Sequence, residues 1–232
     1  MAETSKGTSR PGGKRQGAPD HLADVRARVL AAALPHAAFD GWSGRLLADA
    51  AKAAKISEGD MRLAFPKGAV DLIDYFLQEG DRLMLKALAG QDLAAFKIRQ
   101  RITLAVRARI EVDLPYREAL RRAITMAALP TSGGLGIRAL YRTVDAIWRA
   151  VGDTSTDFNF YSKRAVLAGV YSSSVMHWFS DESADHADTW AFLDRRIENV
   201  MQFEKAKASV MKVGAMLPDP LALLSRLRYR RS

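Results

Sequence analysis

Six side chains able to carry acid–base or metal chemistry crowd into twelve residues: His177, Asp181, Glu182, Asp185, His186 and Asp188. Imidazole and carboxylate are good ligands for divalent metals. A site on a helix also needs spacing that aims two ligands at one point, as His-x-x-x-His or Glu-x-x-His does, and neither pattern occurs here. Asp185 and Asp188 read instead as the acidic first turn of a helix, where negative charge complements the helix dipole. The run Thr131-Ser132-Gly133-Gly134-Leu135-Gly136 has the glycines of a phosphate cradle. It lacks the preceding strand and nearby Lys of one, so it reads as a helix-to-helix loop. Cysteine is absent, which excludes disulfides, thiolate catalysis and Cys-type zinc sites. Ser, His and Asp fall into no nucleophile pattern. The expectation is a protein that is not an enzyme, with no catalytic residue, no metal and no cofactor.

The elements that would position any site are helical. Leu22, Val25, Val29 and Leu30, then Leu46, Leu47 and Ala50, recur at helical spacing and are broken at Asp40-Gly41-Trp42-Ser43. Ile56 pins a tight turn into a third helix beginning Ser57-Glu58-Gly59-Asp60-Met61-Arg62. Further amphipathic stretches follow at 69–89, about 92–113, 116–128, about 135–151, 158–179 and 187–207, with breaks at Gly90, Pro115, 130–136, 152–157 and 181–185. No stretch alternates as a strand would. The fold class is all-α, a small module leading into a larger bundle.

The first three helices resemble the helix-turn-helix module of TetR-type repressors, and the Phe65-Pro66-Lys67 run followed by an apolar helix completes the likeness. A reading helix of that kind meets phosphate first, and phosphate repels Glu58 and Asp60. The net charge of +9 does not reverse this, because residues 1–20 carry +2, residues 203–232 carry +5, and the remainder only +2. No nucleic-acid partner is expected. A TetR-type ligand-responsive transcriptional regulator is the alternative.

Residues 1–20 are polar and aperiodic and read as a disordered leader. Residues 21–67 form the helix-turn-helix-like module, 68–207 the larger helical domain, and 208–232 a linker with a terminal helix. Pro218-Asp219-Pro220 opens that helix, with Asp219 as N-cap. Leu221, Leu224 and Leu227 make an apolar stripe, and Arg228 and Arg230 lie among the arginines of the positive face. Such a segment lies in a membrane interface and is too short to cross it. No apolar run is long enough to span a bilayer, so a soluble or peripheral protein is expected.

Three blocks carry a more specific likeness: Val144 to Trp148, Gly152 to Ser173, and Asp188 to Ile197. Together they resemble the TetR-like lipid-binding accessory proteins of coenzyme Q (ubiquinone) biosynthesis, over residues 22 to 207. The resemblance implies a non-catalytic protein that binds isoprenoid quinone intermediates and presents them to the di-iron hydroxylase of the pathway. It places Trp148, Phe160 and Tyr161 on the family's partner-binding surface, in an Asn-aromatic-Tyr context in which this chain has Phe, with Arg164 supporting the same surface. Helix faces make Leu140, Ile147, Val166, Val170 and Met176 candidates for the lipid pocket. TetR-like bundles pair through their late helices, so a homodimer through 158–179 and 187–207 is expected. The leader lacks the amphipathic, acid-poor character of a clear mitochondrial transit peptide. That favours a bacterial cytoplasm and inner-membrane surface, or the mitochondrial matrix if the chain is eukaryotic.

Overall fold

The computed structural model describes residues 18–153 and 158–216. Among them are nine α-helices joined by short 3-10 turns, and no strand: α1 (Ala18–Asp40), α2 (Gly44–Ala53), α3 (Glu58–Ala64), α4 (Ala69–Ala89), α5 (Ile98–Glu111), α6 (Arg117–Ala127), α7 (Leu135–Ala150), α8 (Phe158–Trp178) and α9 (Ala187–Met216). The described residues form two compact units, one made of 18–77 and 118–136, the other of 78–117 and 137–216.

In the first unit α2 buries Leu46, Leu47, Ala50 and Ala51, and α1 supplies Val25, Val29, Leu30, Ala33 and Ala37 to the same core. Ser43 caps α2 by accepting the Leu46 N–H at 3.1 Å. The turn to α3 passes through Lys55 in the left-handed region (φ 53°) and is closed by the Ile56 N–H bonded to the Ala51 carbonyl. Ser57 caps α3, accepting from Asp60 N–H while its hydroxyl donates to the Asp60 carboxylate.

The unit also takes in α6, which the sequence reading had assigned to the larger domain. The cause is Trp42. Its side chain is completely buried, its ring stacks on Phe76 at 5.0 Å, and its indole N–H donates to the Ala119 carbonyl at 2.8 Å. A buried indole needs that acceptor, so α6 is held where the Trp42 ring points.

The second unit is built from the C-terminal part of α4 with α5, α7, α8 and α9. Its interior holds a charged cluster inside an apolar bundle. Arg109, only 1% exposed, pairs with Asp81 of α4 at 2.9 Å and with Asp113 just past α5. Asp81 also accepts from Thr143 Oγ1 at 2.7 Å and Arg142 Nε at 3.2 Å, both on α7. Tyr171 of α8 lies near enough to be affected, and burial pushes its phenol up to about 12 against the pull of Arg109. Gly80 stands against this guanidinium, and a Cβ there would sit 2.5 Å from Arg109 Nη2.

The stretch expected as one helix over about 92–113 is interrupted. Residues 93–95 make a 3-10 turn, Phe96 and Lys97 are extended, and α5 begins only at Ile98. The Gln100 side chain, reaching back to the Lys97 N–H at 3.1 Å, fixes the later start.

Two substitutions test this packing. Trp42→Ala should cost about 3–5 kcal/mol of unfolding free energy, the usual range for deleting a buried aromatic. Gly80→Ala should cost about 1–3 kcal/mol or more by overpacking against a guanidinium that cannot leave its carboxylates. Urea unfolding monitored by circular dichroism measures both, and a neutral Gly80→Ala would contradict the close approach.

Candidate functional site

Within the histidine–carboxylate cluster, Asp181 is engaged at the start of α9. Asp181 accepts from the N–H and hydroxyl of Ser183, at 2.8 and 2.6 Å, and from the N–H and hydroxyl of Thr189. Burial opposes its charge, but those donors outweigh it and hold the carboxyl well below the ordinary range. Asp188 lies in the acidic first turn of α9, and Asp185 in the 3-10 turn before it, as the sequence suggests, while Asp181 is the carboxylate that accepts the Thr189 N–H. Asp185 lies in the left-handed region (φ 51°), and His177 stacks on Phe192 at 4.4 Å. Among the described residues no three His, Asp or Glu side chains are grouped to hold a metal.

The residues assigned to a partner surface do converge, at the corner where α7 gives way to α8. Arg164 is their hinge point. Its guanidinium bonds Asp145 of α7 at 2.8 Å, reaches Asp153 at 3.4 Å, and donates to the Phe160 carbonyl at 3.2 Å. It also lies 3.4 Å over the Phe160 ring. Lys163 adds a second tie to Asp153 at 2.8 Å, and Arg149 a second tie to Asp145 at 2.7 Å. Tyr161 meets Phe160 edge to face at 5.1 Å and is 67% exposed. Trp148 differs: it is only 8% exposed, and its indole donates to the Lys163 carbonyl at 3.2 Å. It braces the corner from beneath, while Tyr161 is the aromatic on display.

The five pocket candidates separate. Ile147 is completely buried core, and Leu140 is half-buried on α7. Val166 and Val170 line a groove of about 450 Å³ between α8 and α9, with Gly169, Ser173, Arg196 and Val200. Met176, exposed, lies further along α8. A second groove, about 610 Å³, was not foreseen. It runs between α5 and α9 and is lined by Phe96, Thr103, Leu104 and Ile197, with Arg99 and Glu198 bonded across it. The assignment of Leu104 and Ile197 to it needs the α5–α9 contact, which no local pattern carries. Leu221, Leu224, Leu227, Arg228 and Arg230 lie outside the described residues. No described helix is long and apolar enough to cross a membrane.

Known proteins match the same region. The COQ9 family model fits residues 134–204, which contain α7, the corner, α8 and the start of α9. The Xenopus laevis ubiquinone biosynthesis protein COQ9-B, mitochondrial, is 31% identical over 198 residues, which cover 82% of this chain and 67% of that protein. The chain belongs to the COQ9 family. Its Rattus norvegicus relative, the mitochondrial ubiquinone biosynthesis protein COQ9, is 31% identical over 203 residues covering 85% of this chain and 65% of the rat protein, so the chain spans somewhat less than two thirds of that relative's length. Among solved structures a TetR transcriptional regulator from Nitrosomonas europaea matches with a TM-score of 0.61 at 21% identity, over 75% of this chain and 97% of that one. That likeness establishes a TetR-like fold for this COQ9 family member, as its first three helices had indicated.

Removing one side of the corner's ion pairs leaves buried carboxylates with fewer partners. Arg164→Ala should lose about 3 kcal/mol in chemical denaturation, whereas Tyr161→Ala should stay within about 0.5 kcal/mol of the parent. The Asp181 contribution should be complete above the ordinary carboxylate pKa of about 4 and decline as pH falls below it. Asp181→Asn should flatten that part of the stability–pH profile, and an unchanged acid slope would show that the cap does not depend on charge.

Proposed function

We propose that the chain is a non-catalytic lipid-binding protein of ubiquinone biosynthesis, which takes isoprenoid quinone intermediates at a membrane surface and presents them to the di-iron demethoxyubiquinone hydroxylase. Family membership supports the pathway, since the relatives are named ubiquinone biosynthesis proteins. The observation that carries the rest is the juxtaposition, in one unit, of two apolar grooves with an aromatic corner held out by buried ion pairs. Both grooves fall in the range of about 300–1,000 Å³ usual for small-molecule sites.

An isoprenoid tail is nearly insoluble in water, so an enzyme acting on its ring needs the tail drawn out of the bilayer and shielded on the way. Covering about 300 Å² of tail at roughly 25 cal/mol/Å² is worth on the order of 7 kcal/mol, comparable with the cost of leaving the membrane. Transfer is then near balance and reversible. Val166 and Val170 offer the tail an apolar path at the α8–α9 groove, and Leu140, Ile147 and Met176 are the further candidates for contact with it. Tyr161 and Phe160 meet the hydroxylase, and Trp148 and Arg164 hold them. Leu221, Leu224, Leu227, Arg228 and Arg230 contact the membrane. The chain acts as a homodimer through α8 and α9. Its relatives named above are mitochondrial, and the same work would be done on the matrix face of the inner membrane or, in a bacterium, on the cytoplasmic face.

The regulator reading is weaker for a reason visible in the first unit. Asp60 is bonded to Ser57 and His21, Arg62 is paired with Glu58, and Arg26 and Arg28 of α1 donate to carbonyls at the ends of α3 and α2. Three of this module's cations, Arg26, Arg28 and Arg62, thus already have partners, and the reading helix offers carboxylates.

Binding to the purified hydroxylase tests the proposal. Tyr161→Ala should weaken the complex by about tenfold or more while thermal stability is kept, as for an exposed aromatic at the centre of an interface. Equal affinity of the variant and the parent would remove the corner from the mechanism. Light scattering at micromolar concentration should give the mass of a dimer.

A further inference from the structure

The turn between α4 and α5 is unusual in what it shows to solvent. Residues 93–99 read Leu-Ala-Ala-Phe-Lys-Ile-Arg, and every one except the half-buried Leu93 is exposed. Phe96 is 40% and Ile98 45% exposed, with Lys97 and Arg99 alternating between and beside them and no carboxylate in the run. A turn of this kind normally satisfies its backbone with water. Here the backbone is bonded internally: the Leu93 N–H to the Gln91 carbonyl, the Ala94 N–H to the Asp92 carboxylate, Ala95 to Asp92, Phe96 to Leu93, and Lys97 to the Gln100 side chain. Arg101 takes up the carbonyls, donating to Phe96 at 2.7 Å and Ala94 at 3.2 Å, with a third bond to the Val151 carbonyl at 3.3 Å that anchors the turn to the end of α7.

An apolar turn whose backbone N–H groups from 93 to 97 are already paired loses less on leaving water, since the penalty for a buried peptide group is that of its unmade hydrogen bond. Alternating aromatic, aliphatic and cationic side chains suit one environment in particular, the boundary between acyl chains and negatively charged headgroups. Phe96 also lines the mouth of the groove between α5 and α9, so whatever the turn enters has access to that groove.

We infer that the α4–α5 turn is a membrane-inserting corner, with Phe96 and Ile98 entering an anionic bilayer surface and Lys97 contacting lipid headgroups, which brings the mouth of the α5–α9 groove to the lipid. The inference rests on the reading that the chain works at a membrane surface. It adds a contact point separate from residues 217–232.

The chain has no Cys, so Ala95→Cys in the full-length protein gives a single attachment point for an environment-sensitive NBD dye beside Phe96. With phosphatidylcholine vesicles containing phosphatidylglycerol, the dye should brighten, shift to the blue and be quenched by doxyl-labelled lipid. The double variant Phe96→Ala, Ile98→Ala, unlabelled and with an unchanged circular dichroism spectrum, should partition about tenfold less onto the same vesicles. Co-sedimentation with a silent dye and undiminished partition of the double variant would overturn the inserting corner and leave membrane binding to another surface. Absence of co-sedimentation by the parent chain would overturn both the corner and the membrane reading on which it rests.

Discussion

A charge inside an apolar bundle must be answered where it stands, and in this protein Arg109 sets that requirement. Its guanidinium is almost wholly buried, and the two carboxylates that meet it come from α4 and from the residues just beyond α5. One of those carboxylates is shared with Arg142 and Thr143 of α7. Apolar side chains tolerate small slips of one helix along another, because dispersion and burial change gradually. Buried ion pairs do not, since a displaced partner leaves a desolvated charge behind at a cost of several kcal/mol. The cluster therefore fixes the register of α4, α5 and α7. Gly80 permits the approach by leaving no Cβ in the guanidinium's way.

With α7 so placed, a second set of ion pairs positions the first turn of α8. Arg164 joins Asp145, Asp153 and the Phe160 ring, and Trp148 supports the chain from below through the Lys163 carbonyl. The result is an exposed tyrosine on a base tied down by ion pairs. The grooves on either side of α9 use the same helices. The exposed corner and the grooves thus depend on one arrangement of α5, α7, α8 and α9, and a change in the charged interior would be felt at both.

Much of the helical order was legible in the sequence because the punctuation is strong: Gly90, Pro115, the glycines at 133–136 and Gly152 each sit at or just beside a break, and apolar spacing fills the stretches between. The interruption at Phe96 and Lys97 was not legible, since no Gly or Pro marks it and a side-chain cap from Gln100 decides it. The place of α6 depends on the bond from Trp42 to Ala119, between residues 77 apart in sequence. Among many arginines nothing local distinguishes Arg109, whose burial is a consequence of packing. At the corner, the resemblance named residues that the fold brings together, but that Trp148 is buried and Tyr161 exposed required the geometry.

The central claim is that this bundle carries an isoprenoid quinone intermediate. Extraction of the purified, full-length protein with organic solvent, followed by mass spectrometry of the lipid, tests it most directly. The account predicts an isoprenoid quinone or its precursor enriched far above its share of the host membrane. Phospholipid alone, in the proportions of that membrane, would contradict it.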